Sequence, residues 1–266
     1  MCIRDRWKSK FVNTNPFNLD GRLALVTGSS RGVGKALAEA LGNAGAYLVL
    51  NGRNEAALEA TAAELRDKGL TVHTCVCDVT DFDAVNEMVR GIETDYGPLE
   101  ILVNNAGMQQ RGSVLNFPID GLRKVLETNL IAPFIVAQAA ARAMADRGQG
   151  KIINIGSVQS QLGRPTIVPY AASKGGIVLL TRGLCAELGP LGIQVNTLAP
   201  GYFATELTAD LVADKEFSEW VAKRTPAGRW GDVSELGGTA VFLASDASSF
   251  VNGQTIFVDG GMTAVV

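Results

Sequence analysis

The stretch "LALVTGSSRGVGKALAEALGNAGAYLVLN", residues 23–51, decides the fold. It opens on an apolar run, passes through Gly28, Gly32 and Gly34, continues with apolar residues at helical spacing, and ends in a second apolar run. Unbroken apolar runs of strand length belong to strands buried on both faces, and a helix between two of them makes a parallel βαβ unit. A glycine-rich turn at the helix entry lets backbone approach a pyrophosphate, and the first helical turn offers unpaired N–H groups and a positive dipole end. The same turn also serves as a tight strand-to-helix connection with no ligand. The glycines alone leave both readings open.

The alternation continues outward. Strands are expected at "TVHTCVCD" (71–78), "LEILVNNAG" (99–107), "KIINIGS" (151–157), "IQVNTLAPG" (193–201) and "QTIFVDGG" (254–261). Helices are expected at 55–69, at 82–97, as one long helix over 118–147, and from Tyr170 to about Leu188. This order predicts an α/β fold: a single-domain, doubly wound parallel sheet, Rossmann-like, with helices on both faces. The domain is read as 17–266. Residues 1–16, which begin "MCIRDRWKSK", are read as a disordered or non-native extension without a secretory signal core.

Composition removes several classes of function. The 266 residues carry a net charge of −3 with no basic block, which argues against nucleic acid or an anionic membrane as partner. No apolar run approaches the roughly 20 residues of a membrane span. The four cysteines, Cys2, Cys75, Cys77 and Cys185, form no CxxC. Cys75 and Cys77 share a strand face, a poor geometry for pairing, so free thiols in a reducing, cytoplasmic setting are expected. The single histidine, His73, lies in a strand pattern and reads as a packed residue; no metal site is expected.

In a doubly wound sheet, ligands bind beyond the carboxyl ends of the strands. Five distinctive segments sit there: "TGSSRGVG", "CDVT", "NNAG", "GSVQS" and "APGYFAT". The second strand ends in "LNGRN", with Asn51 and Arg53 where an NAD site usually carries an acid for the ribose 2′-hydroxyl. Arg31 lies within the glycine loop. Two guanidiniums can clamp a 2′-phosphate, so NADP(H) is favoured over NAD(H). Asp78 is either an acceptor for the adenine amino group or the cap of the next helix.

Tyr170 and Lys174 are four apart and share a helix face. Ser157 stands thirteen residues earlier at a strand end, and Asn129 lies in the preceding helix. With "TGSSRGVG", "NNAG" and "PGYFAT", these residues resemble the short-chain dehydrogenase/reductase family over about residues 17–266. The resemblance implies Tyr170 as proton donor in carbonyl reduction and base in alcohol oxidation, Ser157 on the substrate oxygen, Lys174 on the nicotinamide ribose, and Asn129 anchoring a relay water. It implies a cofactor against Gly28, Ser30, Arg31, Gly32, Val33 and Gly34, with Asp78 and Val79 at its adenine. Asn105, Ala106 and Gly107 would line it, with Pro200, Gly201, Phe203 and Thr205 at the nicotinamide. A free phenol is a poor base near neutrality; the Lys174 ammonium and a positive nicotinamide are expected to favour the phenolate.

Longer stretches, "LVNNAGMQQRGSVLNFP", "KIINIGSVQSQLGRP" and the segment from 198 to 231, resemble the branch of that family that interconverts D-gluconate and 5-keto-D-gluconate. A polyhydroxy keto-acid needs many hydrogen-bond partners. Gln109, Gln110, Gln159 and Gln161 follow strand ends, Arg111 and Arg164 are candidates for the carboxylate, and Tyr202 for a pocket wall. Thr205–Arg224 reads as a helical lid, with Trp220 and Trp230 as core or interface. A 3-oxoacyl thioester reductase of the same fold and a non-catalytic NADP(H)-binding protein are the alternatives. The resemblance also implies a homotetramer built on the helices around Asn129 and Tyr170, whose small-residue faces equally suit packing within the chain.

Overall fold

The βαβ unit at residues 23–51 forms as β1 (Leu23–Val26), α1 (Gly32–Asn43) and β2 (Tyr47–Gly52). A computed structural model describes residues 15–266, so the reading of residues 1–14 lies outside the described residues. The alternation continues through α2 (Glu55–Asp67), β3 (Val72–Val76), α3 (Phe82–Asp95), β4 (Leu99–Asn104), α4 (Ile119–Leu126), α5 (Ala132–Arg147), β5 (Gly150–Ile155), α6 (Val168–Leu188) and β6 (Ile193–Pro200). After β7 (Phe203–Ala204), α7 (Ala209–Ala213), α8 (Lys215–Arg224), β8 (Gly231–Asp232) and α9 (Gly237–Ala244), the last strand is β9 (Thr255–Val258). The main sheet is wholly parallel, in the order β3-β2-β1-β4-β5-β6-β9.

Strand side chains alternate between faces, and the core divides accordingly. Ala24 and Val26 of β1 pack with Leu37 and Leu41 of α1, Leu58 of α2 and Leu243 of α9. Leu23 and Leu25 face the other way, toward Val85 and Ile92 of α3 and Val136 and Ala140 of α5. Helices thus cover both faces, which explains why β1 is buried at every position.

Two long elements differ from the sequence expectation. The helix over 118–147 is interrupted by a π-helical segment, Glu127–Ile131, between α4 and α5. There the Ala132 N–H donates to the Glu127 carbonyl. Pro133 has no N–H to continue the ladder, and the wider turn accommodates a buried Asn129. The expected helix over Thr205–Arg224 divides into α7 and α8 because Asp214 caps α8, its carboxylate accepting from the Phe217 N–H at 3.1 Å. The small β7–β8 sheet, with Phe203 opposite Gly231, ties together the two ends of this segment.

His73 stacks on Tyr96, with ring centroids 3.9 Å apart and planes 15° from parallel. Burial first, and then the Arg66 charge, hold its pKa below the ordinary value of 6.5. The unfolded chain therefore takes up a proton before the native state does, and stability falls as the pH drops through about 6.5. As the sole histidine, His73 should account for the histidine contribution to this slope. His73→Gln should flatten the dependence of melting temperature on pH between about 5.5 and 7.5, measured by thermal unfolding in matched buffers.

Candidate active site

The carboxyl ends of β1 to β6 open onto a cleft of ≈ 760 Å³. Of the candidate residues named above for catalysis, cofactor or substrate, all but Asn129, Gln110 and Gln161 line it. Gln110 instead lies over Gly121 of α4, where a Cβ would come within 2.5 Å of its Oε1.

At one end, the loop from β1 to α1 is braced against the loop after β4. The Asn105 Nδ2 donates to the Thr27 and Gly28 carbonyls, both at 2.9 Å. Thr27 Oγ1 accepts from the Asn105 and Ala106 N–H groups, both at 3.0 Å. This bracing divides the three glycines by role. A Cβ on Gly28 would stand 2.8 Å from Ala106 Cα, and one on Gly34 would stand 2.4 Å from Asn105 Nδ2, so both permit close packing of the loops. Gly32, at φ +56°, faces open space. Arg31, the N-cap of α1, makes no side-chain cap and no acid stands in the first turn. The first-turn N–H groups are thus without a protein side-chain acceptor, the arrangement suited to a phosphate.

Next to this turn the Arg53 guanidinium lies 3.5 Å from Asp78. Burial alone would raise the Asp78 pKa, but the Thr80 N–H and hydroxyl, together with Arg53, hold it below the usual value. The cap of α3 is Asp81, which accepts from the Ala84 N–H, so the helix-cap reading of Asp78 is corrected. Asn51 directs its amide away to the Cys75 and Cys77 carbonyls at 3.1 and 3.2 Å.

At the other end stand Ser157, Tyr170 and Lys174. Ser157 follows β5 and caps the short turn Val158–Ser160; its Oγ accepts from the Gln159 N–H at 3.1 Å, which leaves its own proton to be donated. Tyr170 and Lys174 come from the first two turns of α6. The Lys174 Nζ donates to the Ile155 carbonyl at 2.6 Å and lies 5.7 Å from the centre of the Tyr170 ring. Asn129 acts one layer back. Its amide exchanges hydrogen bonds with the Met108 N–H and carbonyl, both at 2.8 Å, and donates to Ser173 Oγ at 3.1 Å.

Burial is the largest influence on both acidities. Burial pushes the Tyr170 phenol up, opposed by the Ser157 hydroxyl and reinforced by Tyr202. Burial also lowers Lys174 to about 8. In the free protein desolvation disfavours the charged form of both groups and outweighs the pull of the ammonium; the sequence expectation concerned the ammonium together with an oxidised nicotinamide.

An aromatic cluster backs the cleft wall at Tyr202. The Tyr202 ring meets Phe217, Trp220 and Trp230 edge-on, each at 5.7 Å between centroids. Arg164 lies over Phe217 at 5.2 Å, and Trp230 Nε1 donates to Ser218 Oγ at 3.1 Å. Burial raises the Tyr202 hydroxyl, while Arg164, Arg111 and Gln159 pull it down. Four polar groups therefore gather at one point of the cleft. Gln159 is 8% exposed and its Oε1 has no partner among the described residues. The lining also includes Met108, Val158, Ile167, Glu206 and Leu211, which the sequence reading did not single out. Only their position just beyond a strand end or inside the lid segment signals them.

Comparison with known proteins agrees with this geometry. Residues 28–263 match a family model described as enoyl-(acyl carrier protein) reductase. The chain is 55% identical over 247 residues to a gluconate 5-dehydrogenase of Gluconobacter oxydans (strain 621H), covering 93% of this chain and 96% of that one. It is 48% identical over 250 residues to a 5-keto-D-gluconate 5-reductase of Escherichia coli (strain K12), covering 94% and 98%. Among solved structures it resembles a gluconate 5-dehydrogenase from Burkholderia cenocepacia J2315 in complex with NADP and tartrate, with TM-score 0.92 and 54% identity over 94% of this chain and 98% of that one. A dinucleotide-shaped turn and a serine, tyrosine and lysine at opposite ends of one cleft, on a sheet shared with these relatives, place the chain in the short-chain dehydrogenase/reductase family.

Proposed function

We propose that this chain is an NADP(H)-dependent oxidoreductase that interconverts D-gluconate and 5-keto-D-gluconate. The observation that carries the reading is one cleft with an uncapped, glycine-lined helix start at one end and Ser157, Tyr170 and Lys174 at the other. The 55%-identical relative named for this reaction supports the substrate. The relative solved with NADP supports the cofactor, as do Arg31 and Arg53 beside the turn.

The residues divide the work. The N–H groups at the start of α1 hold the pyrophosphate, while Arg31 and Arg53 hold the 2′-phosphate. When bound, the cofactor supplies or takes up the hydride. In reduction, Tyr170 Oη gives its proton to the substrate oxygen as the ketone becomes an alcohol; in oxidation it takes that proton back. Ser157 donates to the same oxygen and stabilises the charge that develops on it. Lys174 binds the ribose hydroxyls. Asn129 acts through Ser173 and Met108, holding the start of α6 and the loop after β4, and anchors a relay water. Arg111 and Arg164 take the substrate carboxylate, and Gln109, Gln159 and Tyr202 its hydroxyls. A 3-oxoacyl thioester would leave the half-buried Arg164 and the buried Gln159 without partners, which costs affinity.

The apolar residues exposed on α4, α5 and α6, among them Ile119, Phe134 and Leu179, fit a homotetramer assembled on those helices. The free thiols Cys75, Cys77 and Cys185 fit a cytoplasmic place. No helix among the described residues is long and apolar enough to cross a membrane.

Tyr170→Phe should lower kcat for reduction about 100- to 10,000-fold, the usual contribution of a general acid, with NADPH affinity nearly unchanged by fluorescence titration. Arg53→Ala should raise the KM for NADPH about tenfold, the loss of one charge-assisted contact, and leave that for NADH unchanged; a lasting NADH preference in both proteins contradicts the cofactor assignment. The pH profile follows from the acidities. With the Tyr170 pKa raised and Lys174 at about 8, kcat/KM for reduction should stay level through neutrality and fall above about pH 8, as Lys174 loses its charge.

A further inference from the structure

The α5–α6 face of the sheet carries an unusual polar row. Asn104, Asn154 and Thr197 stand directly opposite one another across β4, β5 and β6, so their side chains share a face. All are buried, at 4%, 0% and 0% exposed. Asn104 Nδ2 donates to Asn154 Oδ1 at 2.9 Å and to the Pro133 carbonyl of α5 at 3.1 Å. Asn154 Nδ2 donates to Thr181 Oγ1 of α6 at 2.9 Å, and Thr197 Oγ1 donates to the same oxygen at 2.8 Å. Thr181 is itself fully buried. Thr255 of β9 stands opposite Thr197, and its hydroxyl has no partner among the described residues.

The rest of the α6 seat gives the helix little grip. Its fully buried residues are Pro169, Ser173, Lys174, Ile177 and Thr181, with Ile177 the one bulky apolar group; Leu184 and Leu188, beyond Thr181, are only partly buried against the core. A seat of small and polar side chains does not fix a helix along its axis as interlocking apolar ridges do. Hydrogen bonds have a definite length and direction, so a buried pair fixes register. Lys174, bonded to the Ile155 carbonyl, and Ser160, bonded to the Lys174 carbonyl, hold only the first turns of α6. A second anchor lies further along the helix. Asn154 stands three residues before Ser157 on the same strand, and Thr181 lies eleven residues beyond Tyr170, about 16 Å along the same helix.

We infer that Asn154 and Thr181, supported by Asn104 and Thr197, are positioning residues: the hydrogen-bonded row sets the axial position of α6 against β5 and so holds Tyr170 and Lys174 beside Ser157. This inference rests on the catalytic reading above, in which those three groups must meet one substrate oxygen. The row touches neither substrate nor cofactor.

Thr181→Val keeps the shape of the side chain and removes its hydroxyl; Thr181→Ser keeps the hydroxyl and removes the methyl group. Displacement of a reacting group by about 1 Å costs about 100-fold in rate. Thr181→Val should therefore lower kcat with 5-keto-D-gluconate about 10- to 100-fold, leave the Kd for NADPH within about twofold, and retain the native circular dichroism spectrum. Thr181→Ser should restore most of kcat. Thr197→Val, which removes a second donor to the same oxygen, should shift kcat in the same direction. If Thr181→Val and Thr197→Val lower the melting temperature but keep full kcat, or if Thr181→Ser loses as much kcat as Thr181→Val, the row is structural only and the inference is overturned. Tyr170→Phe is measured alongside. A fully active Tyr170→Phe overturns the catalytic reading, whereas an inactive Tyr170→Phe beside a fully active Thr181→Val overturns the positioning role alone.

Discussion

The bond from the Lys174 ammonium to the Ile155 carbonyl, 2.6 Å long, joins the two elements on which the chemistry depends. Ile155 ends β5 and Ser157 follows it; Lys174 stands one turn beyond Tyr170 on α6. A charged group this deeply buried needs a partner to compensate for the loss of water. The strand-end carbonyl supplies one, and in doing so brings the phenol to the mouth of the sheet. Ser160, whose Oγ donates to the Lys174 carbonyl at 2.8 Å, and Asn129, through Ser173, hold the same turn of helix from either side. The proposed catalytic trio is thus fixed by the backbone of β5 and by buried polar contacts, with few large apolar side chains involved.

Burial has two consequences at this site. It lowers Lys174 and raises Tyr170, so the phenol is a proton donor by default. That state suits carbonyl reduction directly. The reverse reaction needs an added positive charge close to the ring, and the bound oxidised nicotinamide is the group that carries one. The direction of catalysis is therefore linked to the charge state of the cofactor by simple electrostatics. The outer wall follows a similar logic at the substrate end. Arg164 is held over Phe217 and faces the half-buried Tyr202, which keeps a guanidinium available in a half-buried wall for an anionic ligand.

Much of this was legible in the sequence, for identifiable reasons. The strands are continuous apolar runs, and buried parallel strands leave that trace. The cleft-lining segments were found because glycines, Ser157, Tyr170 and Lys174 sit at strand ends, where a doubly wound sheet collects its ligands. The π-segment at Glu127–Ile131 was not legible, since the apolar period runs through it and Pro133 also suits a first helical turn. The break at Asp214 carried a signal in the acid that caps α8, but the surrounding helix formers outweighed it. Asp78 and Asp81 were one turn apart and both suited to capping; only coordinates decide that Asp81 caps α3. The burial that raises the Tyr170 phenol in the free protein was not legible, because sequence shows the neighbouring ammonium and not the desolvation that opposes it. The polar row through Asn154 and Thr181 was hidden because its members come from four separate elements.

The central claim is that burial keeps the Tyr170 phenol in its proton-donating form beside the cofactor. Its most direct test is a titration of the tyrosine ring-carbon NMR signals in protein labelled at Cζ, with the Tyr170 signal assigned by its loss in Tyr170→Phe; the chain has four tyrosines, which makes this tractable. The account predicts that Tyr170 in the free protein titrates above the ordinary tyrosine range and moves down when oxidised NADP is bound. A Tyr170 signal that titrates at the ordinary value, unmoved by the cofactor, would contradict it.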